Sequence, residues 1–459
     1  YKGSSLGDKA LYEAFVAFRS KRDPRAYESG EQLLMQHGKS QYAQEVVTAM
    51  GQMALTTADF RRAAIYFELY SEKYPNKEDA RTLLKNAATM RELMGDFKFA
   101  ARDFRKLNDY NSVARMDYLA NDWASLQRSA PQAMGIEAAY WEGLARFRLR
   151  GISAARISLE KAAQMATNSY ESQEMAAHAL YLLTMGTMET YKQIRMSPGN
   201  ESKAVNNKAA LLAELDKQLR KVIAFGNGRW TIAALYSLGQ ANREFANFIK
   251  QAPFPKGLSP AQAKQYRAAL SQQADKYEKG SIQFFRQCLT SAEKFEVFTQ
   301  FVRGCQSGGK INVDEANEVG LFGRAQENSP KAANEIRAKL YDKPRDLNLL
   351  FKLTNIYIQV KDYSMAELIL NRASEIDPQN SSVVASIGVV QLYKNDLNSA
   401  KRWFDKALSM NKSNSLALHG LAGLHKQFNF KNRLQSSLPN AKRSGPPSGI
   451  THSLINSVR

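Results

Sequence analysis

At 459 residues the chain is too long for one compact core. Its 44% hydrophobic content marks a globular chain rather than a disordered one, and it has no run of about 18 apolar residues to span a bilayer as a helix. The formal charge of +20 attracts anionic partners in general. No long basic run, zinc-ligand spacing or RNA-reading aromatic motif accompanies that charge, which disfavours a dedicated nucleic-acid reader.

The chain begins at Tyr1 rather than Met, as when an upstream signal or lipid-bearing segment has been removed, so a missing leader does not argue for the cytoplasm. Residues 11–38 read as a helix pair. Leu11, Phe15 and Phe18 form one stripe, and Asp23-Pro24 starts the second helix. Gly51, Asp59-Phe60, Ala63, Phe67 and Pro75 mark the next pair. Ala88, Asp96-Phe97, Ala100 and Phe104 mark another, 37 residues on (100 − 63). Residues 110–131 read as two shorter helices, with Trp123 on the second. Gly143, Gly151-Ile152, Ala155, Leu159 and Ala162 form a degenerate copy, closing an N-terminal repeat arm over 1–168.

A central region, 169–310, breaks the pattern. Residues 170–194 and 201–225 read as helices longer than those of the repeats, and 230–249 as a helix whose Leu235, Leu238 and Gly239 sit like the first half of a repeat. Three prolines and a glycine interrupt helix over 252–260. Ser259 is a good N-cap and Pro260 a good first helical residue. Helix then runs to about residue 279, followed by two short helices over 280–289 and 294–305 with a turn near 290–292. The two cysteines, Cys288 and Cys305, lie on those helices. Bridging needs Cα atoms within about 7 Å, and two buried free thiols are the favoured reading over a disulfide.

The C-terminal region, 311–430, opens after Ser307-Gly-Gly309 with a helix pair over 313–327 and 330–340. A repeat then stands in plain view. Ala366 and Ala400 are 34 residues apart, as are Ala373 and Ala407, Leu370 and Phe404, Leu353 and Ile387, and Asp362 and Asp396. Residues 415–428 are expected as a helix covering the last exposed face. From Lys431 the apolar period is lost. The 431–459 tail, with Pro446-Pro447, many serines and only basic charge, is expected to be disordered; the alternative is that it orders on a partner or packs into a groove of its own chain through Leu434, Leu438, Ile450, Leu454 and Ile455.

The order Leu350-x-x-Leu353-Thr354-x-x-Tyr357, Asp362-Tyr363, Ala366-x-x-x-Leu370-x-x-Ala373 and Pro378 resembles the tetratricopeptide repeat, a helix-turn-helix unit of about 34 residues. The fold expected is all-α, a tetratricopeptide-like α-solenoid with an irregular helical middle. The segment 230–305, with Ala-Ala-Leu-Tyr-Ser-Leu-Gly-Gln-Ala, Ala-Pro-Phe-Pro-Lys-Gly-Leu, Tyr-Arg-Ala-Ala-Leu and Lys-Phe-Glu-Val-Phe, is similar to large repeat proteins of myxobacteria and relatives. Some of those serve the envelope-spanning gliding-motility machinery. That resemblance implies a periplasmic or envelope-associated scaffold, with the cytoplasm as the alternative.

The residues offer little chemistry. Gly304 to Gly309-Lys310 has the glycine and lysine spacing of a phosphate-binding loop, but Ile311 stands where Ser or Thr must hold magnesium, and the segment follows a helix rather than a strand. His37, His178, His419, His425 and His452 show no ligand spacing, and no hydrolase or zinc motif occurs. No catalytic residue, cofactor or metal is therefore assigned. In a stacked repeat the first helix of each pair lines a concave groove. The positions concerned are Asn348, Phe351, Asn355 and Ile358, then Ser382, Ala385, Val389 and Leu392, with Leu416, His419, Gly423 and Lys426 on the covering helix. Carboxylate-gripping grooves need a Lys/Arg/Asn cluster, which the first two layers lack. A mostly neutral, apolar groove suits a peptide or helix of another protein with hydrophobic anchors. The alternative is that Phe351 and Val389 simply pack on neighbouring helices. The expected function is non-catalytic scaffolding, against an alternative in which the net charge binds an anionic polymer.

Overall fold

The computed structural model describes residues 7–254, 257–311, 313 and 330–458. The helix expected over 313–327 falls, apart from Val313, outside the described residues. Among them every helix or strand assignment is helical. The helices are α1 (Gly7–Ser20), α2 (Arg25–Gln36), α3 (Ala43–Thr56), α4 (Phe60–Lys73), α5 (Ala80–Leu93), α6 (Phe97–Lys106) and α7 (Tyr110–Leu119). They continue with α8 (Trp123–Ser129), α9 (Gly135–Arg150), α10 (Ile152–Gln164), α11 (Tyr170–Gln193), α12 (Glu201–Ala224), α13 (Gly228–Lys250), α14 (Pro260–Phe295) and α15 (Gln300–Gln306). The C-terminal set is α16 (Lys331–Asp342), α17 (Leu347–Gln359), α18 (Tyr363–Ile376), α19 (Ser381–Tyr393), α20 (Leu397–Met410), α21 (Ser415–Gln427), α22 (Lys431–Arg443) and α23 (Ser453–Asn456).

These helices form two compact units. One comprises the described residues of Tyr1–Asp122, Gly320–Gly423 and Ser437–Arg459, the other those of Trp123–Val319 and Leu424–Ser436. In the first unit the turn within each pair has one construction. The second residue past the first helix adopts a left-handed conformation (Ala58, Lys361 and Asn395 at φ 54°, 61° and 59°). The aspartate that follows donates its N–H back to the Ala54, Tyr357 or Gln391 carbonyl. This is the Schellman closure of a helix C-terminus. The same aspartate then caps the next helix: Asp59, Asp362 and Asp396 accept from the N–H of Arg62, Met365 and Ser399. One residue thus ends one helix and starts the next, which makes the Asp-aromatic or Asp-aliphatic dipeptide legible as a turn.

Asp96 departs from this use. Its side chain caps nothing and instead takes Arg61 (3.1 Å) and Arg91 (3.0 Å). Arg91 also donates to Glu68 (2.7 Å), and Arg102 reaches Glu68 (2.9 Å) and Asp103 (2.9 Å). Burial opposes ionisation of Glu68, yet the bonds from Arg91 and Arg102 hold its carboxyl below the usual range. Asp103 is fully buried and its Oδ2 has no hydrogen-bond partner among the described residues. Burial pushes its carboxyl up to about 6.

Within the same unit the first repeats meet the later ones through arginines aimed at helix ends. Arg337 on α16 donates to the Tyr357 hydroxyl (2.8 Å) and the Ala58 carbonyl (3.4 Å). Arg372 on α18 donates to the carbonyls of Thr56 (2.8 Å) and Pro344 (3.1 Å). Terminal carbonyls left without intrahelical donors are natural acceptors for such cations.

In the second unit α14 is one helix of 36 residues, running through the two segments expected over 260–279 and 280–289. Ser259 makes a full capping box with Gln262 and Pro260 takes the first helical position. The expected turn at 290–292 is absent. The helix ends at Glu296, a left-handed residue (φ 51°) whose type carries no turn signal. Moving the turn brings α15 back beside α14, and Cys288 and Cys305 form a disulfide with Cα atoms 6.4 Å apart. The free-thiol expectation is thereby overturned; it rested on a misplaced turn.

The α13–α14 pair is an expanded repeat. In α19–α20, a Cβ at Gly388 would lie 2.7 Å from Phe404, 16 residues on. In α13–α14, a Cβ at Gly239 would lie 2.5 Å from Phe285, 46 residues on. The crossing is the same with 30 residues inserted (46 − 16). Ser281, Phe285 and Cys288 repeat the spacing of Ala400, Phe404 and Ala407, and Ser281 donates its hydroxyl to the Gly239 carbonyl (2.8 Å).

Candidate protein-binding groove

Helices α17, α19 and α21 are the first helices of successive pairs. Asp346 caps α17 through the N–H of Asn348 and Leu349, and Asn380 caps α19 through Ser382 and Val383. Asn414 links layers: its side chain accepts from the Ala417 N–H (3.0 Å) and donates to Ser381 Oγ (3.1 Å). Phe404 on α20 inserts between Gly388 and Gly420, so consecutive first helices pack through its ring.

The expected lining residues divide by layer. On α17, Asn348 and Asn355 are exposed while Phe351 and Ile358 are half-buried. On α19, Ser382 is exposed, but Ala385 and Val389 are 0% exposed and Leu392 is 3%. On α21, His419 is 2% exposed and its Nδ1 lies 2.9 Å from the Ser415 carbonyl. The first layer is thus open, and the next two are buried at their middle positions while Ser382 and Lys426 stay exposed.

The segment expected to be disordered packs beside these layers. The 431–459 tail forms α22 and the short α23. A carboxylate from another helix starts α22: Glu293 Oε1 accepts the N–H groups of Asn432 (2.6 Å) and Arg433 (3.2 Å). Ala441 and Val458 then bury against Ala422, flanked by Leu418 and Leu438. Ser415 Oγ donates to the Gly445 carbonyl (2.6 Å), and the Tyr393 hydroxyl donates to the Thr451 carbonyl (2.7 Å). The His452 ring meets Tyr393 edge-on at 4.7 Å, and Tyr363 stacks on Tyr393 at 5.3 Å. The tail thus meets the C-terminal end of α19 at Tyr393. It reaches α21 at Gly423, where a Cβ would lie 2.6 Å from the Leu454 carbonyl oxygen. Only a residue without a side chain admits backbone that close.

His452 holds α23 in place by accepting the Leu454 N–H at Nδ1 (3.2 Å). Burial lowers its pKa, and the bond requires an unprotonated Nδ1. The groove carries no cluster of cationic side chains at its lining positions; Lys394 beside it pairs with Glu367 (2.7 Å).

The class is that of an all-α solenoid of helix-turn-helix repeats. A tetratricopeptide-repeat family model matches residues 347–380, which are α17, α18 and the loop into α19. No curated protein matches it. Similar solved structures include yeast Tom70, at 13% identity over 98% of this chain and 94% of that chain, with a TM-score of 0.23. The TPR domain of P58(IPK) is similar at 13% identity over 90% and 96%, with a TM-score of 0.21. The Cut9–Hcn1 hetero-tetramer of APC/C is similar at 13% over 88% and 87%, with a TM-score of 0.22. Among the described residues no helix is long and apolar enough to cross a membrane.

Proposed function

We propose that the chain is a non-catalytic scaffold that binds a peptide or helical segment of a partner protein on the groove of its C-terminal repeats. The observation that carries this reading is the open first layer, where half-buried Phe351 and Ile358 alternate with exposed Asn348 and Asn355. Apolar anchors flanked by amides suit a segment held by both side chains and backbone. The second and third layers, through Ser382, Ala385, Val389, Leu392 and His419, extend the same face. An envelope or periplasmic setting fits the Cys288–Cys305 disulfide, because such bonds persist in oxidising compartments. The competing reading, an anionic-polymer binder, draws on the +20 charge. Against it, Arg61, Arg91, Arg337 and Arg372 are engaged in internal bonds and offer little to a polyanion.

The test is capture of the partner from the native cells by the full chain and by Phe351→Lys. Capture lost in the variant, with an unchanged melting temperature, supports the groove. Undiminished capture by the folded variant contradicts it.

A further inference from the structure

We infer that residues 444–458 are a resident ligand of the groove, which a partner segment must displace, and that the preferred segment is short, uncharged and aliphatic in the manner of this tail. The inference rests on the groove being the binding face. Three observations carry it beyond that reading.

The first is where the tail lands. Its backbone meets Ser415, Gly423 and Tyr393, that is, the lining position Gly423 on α21 and the C-terminal end of α19, while α17 stays open. The second is how it is held. Ser415 and Tyr393 donate to carbonyl oxygens of the tail, and Ser415 Oγ also accepts from the Ser444 hydroxyl (3.1 Å). Bonds to backbone are available to any extended segment, and the side chains that bury with them set the preference. Those are Ile450, Ile455 and Val458, at 3%, 0% and 2% exposure. The third is composition. Residues 444–458 read Ser-Gly-Pro-Pro-Ser-Gly-Ile-Thr-His-Ser-Leu-Ile-Asn-Ser-Val, with no Asp, Glu, Lys or Arg. The apolar period is too sparse to fold this stretch alone; it orders by docking on a preformed face.

A ligand joined to its site by a short linker acts at an effective concentration on the order of millimolar. If the detached segment binds at tens of micromolar, the groove is closed roughly 10–100-fold over open, and an outside segment loses affinity by that factor.

The experiment uses the full chain and a fluorescein-labelled synthetic peptide of residues 444–458, read by anisotropy. Ile455→Asp places a charge at a fully buried anchor of the tail and frees the groove. The expected result is at least roughly tenfold tighter peptide binding than in the parent chain. Adding Gly423→Ala to Ile455→Asp should abolish that binding, because the new Cβ occupies the place of the Leu454 backbone. Peptide binding no tighter in Ile455→Asp than in the parent overturns the inference. If Ile455→Asp does not fold, hydrogen exchange on the parent chain decides. Saturating peptide should speed exchange of the chain's own 450–458 amides, and unchanged exchange overturns the inference. The outcomes separate from those of the groove reading. Partner capture that depends on Phe351 but is indifferent to Ile455→Asp leaves the groove standing and removes the resident ligand.

Discussion

Phe404 is the residue on which the stacking of the C-terminal repeats most depends. Its ring is fully buried between two glycines. A Cβ at Gly388 would come within 2.7 Å of it, and one at Gly420 within 2.5 Å. Phe→Ala in a core costs about 3–5 kcal/mol, and the cost rises with the void left unfilled. Neither flanking glycine has a side chain to collapse inward, so Phe404→Ala belongs near 4–5 kcal/mol. A chain of two units need not unfold in one step, so the assay is hydrogen exchange resolved to α19, α20 and α21. A loss of this size speeds exchange through those helices roughly 10³-fold. The partner substitution sharpens the test. Gly388→Ala should destabilise the parent by forcing the ring aside. In the Phe404→Ala background the same methyl enters a void and should recover on the order of 1 kcal/mol, a coupling of opposite sign. A cost below about 1 kcal/mol for Phe404→Ala, or an equal cost of Gly388→Ala in both backgrounds, would refute the account of repeat stacking.

Three further outcomes follow from named groups. Asp103→Asn should stabilise the first unit at pH 7.5 by on the order of 2–3 kcal/mol, since a carboxyl raised from 3.8 to about 6 is destabilising when ionised. The folded state binds the extra proton, so this gain shrinks as pH falls through 6; thermal melts at pH 7.5 and 4.5 check it. For His452 the shift has the opposite sign for acid. Its docked pKa lies below the free value of 6.5, so tail docking is at full strength above 6.5 and weakens as pH falls from there toward the lowered value. Exchange of the 450–458 amides, corrected for intrinsic rates, should speed between pH 7.5 and 5.5, and His452→Asn should flatten that dependence by keeping a cap acceptor. Removing the Cys288–Cys305 bridge, which spans 17 residues, by the double serine variant should cost the second unit about 3 kcal/mol in chain entropy. Calorimetry of the two proteins without reductant measures it.

What the sequence disclosed follows from where its signals are local. The Asp that closes one helix and opens the next, the small residue at each crossing and the 34-residue interval all lie within one repeat. They place α17–α20 and most of the N-terminal helices. The expanded repeat was legible only to its first half, at Leu235, Leu238 and Gly239, because its second half lies 30 residues beyond the usual distance. The turn at Glu296 escaped because a left-handed glutamate looks like any other glutamate in a helix. With the turn misplaced, the cysteine geometry went with it. The tail stayed open between disorder and docking for a different reason. Its helix is started by Glu293 from far along the chain, carries Pro439 inside it, and its anchors bury on a surface made by other residues. No window of sequence contains that information. At the proposed groove, spacing puts the candidate residues on α17, α19 and α21, but it does not disclose the burial of Ala385, Val389 and His419.

The most direct test of the central claim, that the chain's own tail docks beside the second and third layers of the groove, is amide hydrogen exchange over residues 450–458 in the parent chain and in Gly423→Ala. The account predicts clear protection of these amides in the parent and its loss in the variant, with α17–α20 protected equally in both. Exchange of 450–458 in the parent at the rate of an unstructured peptide would contradict it.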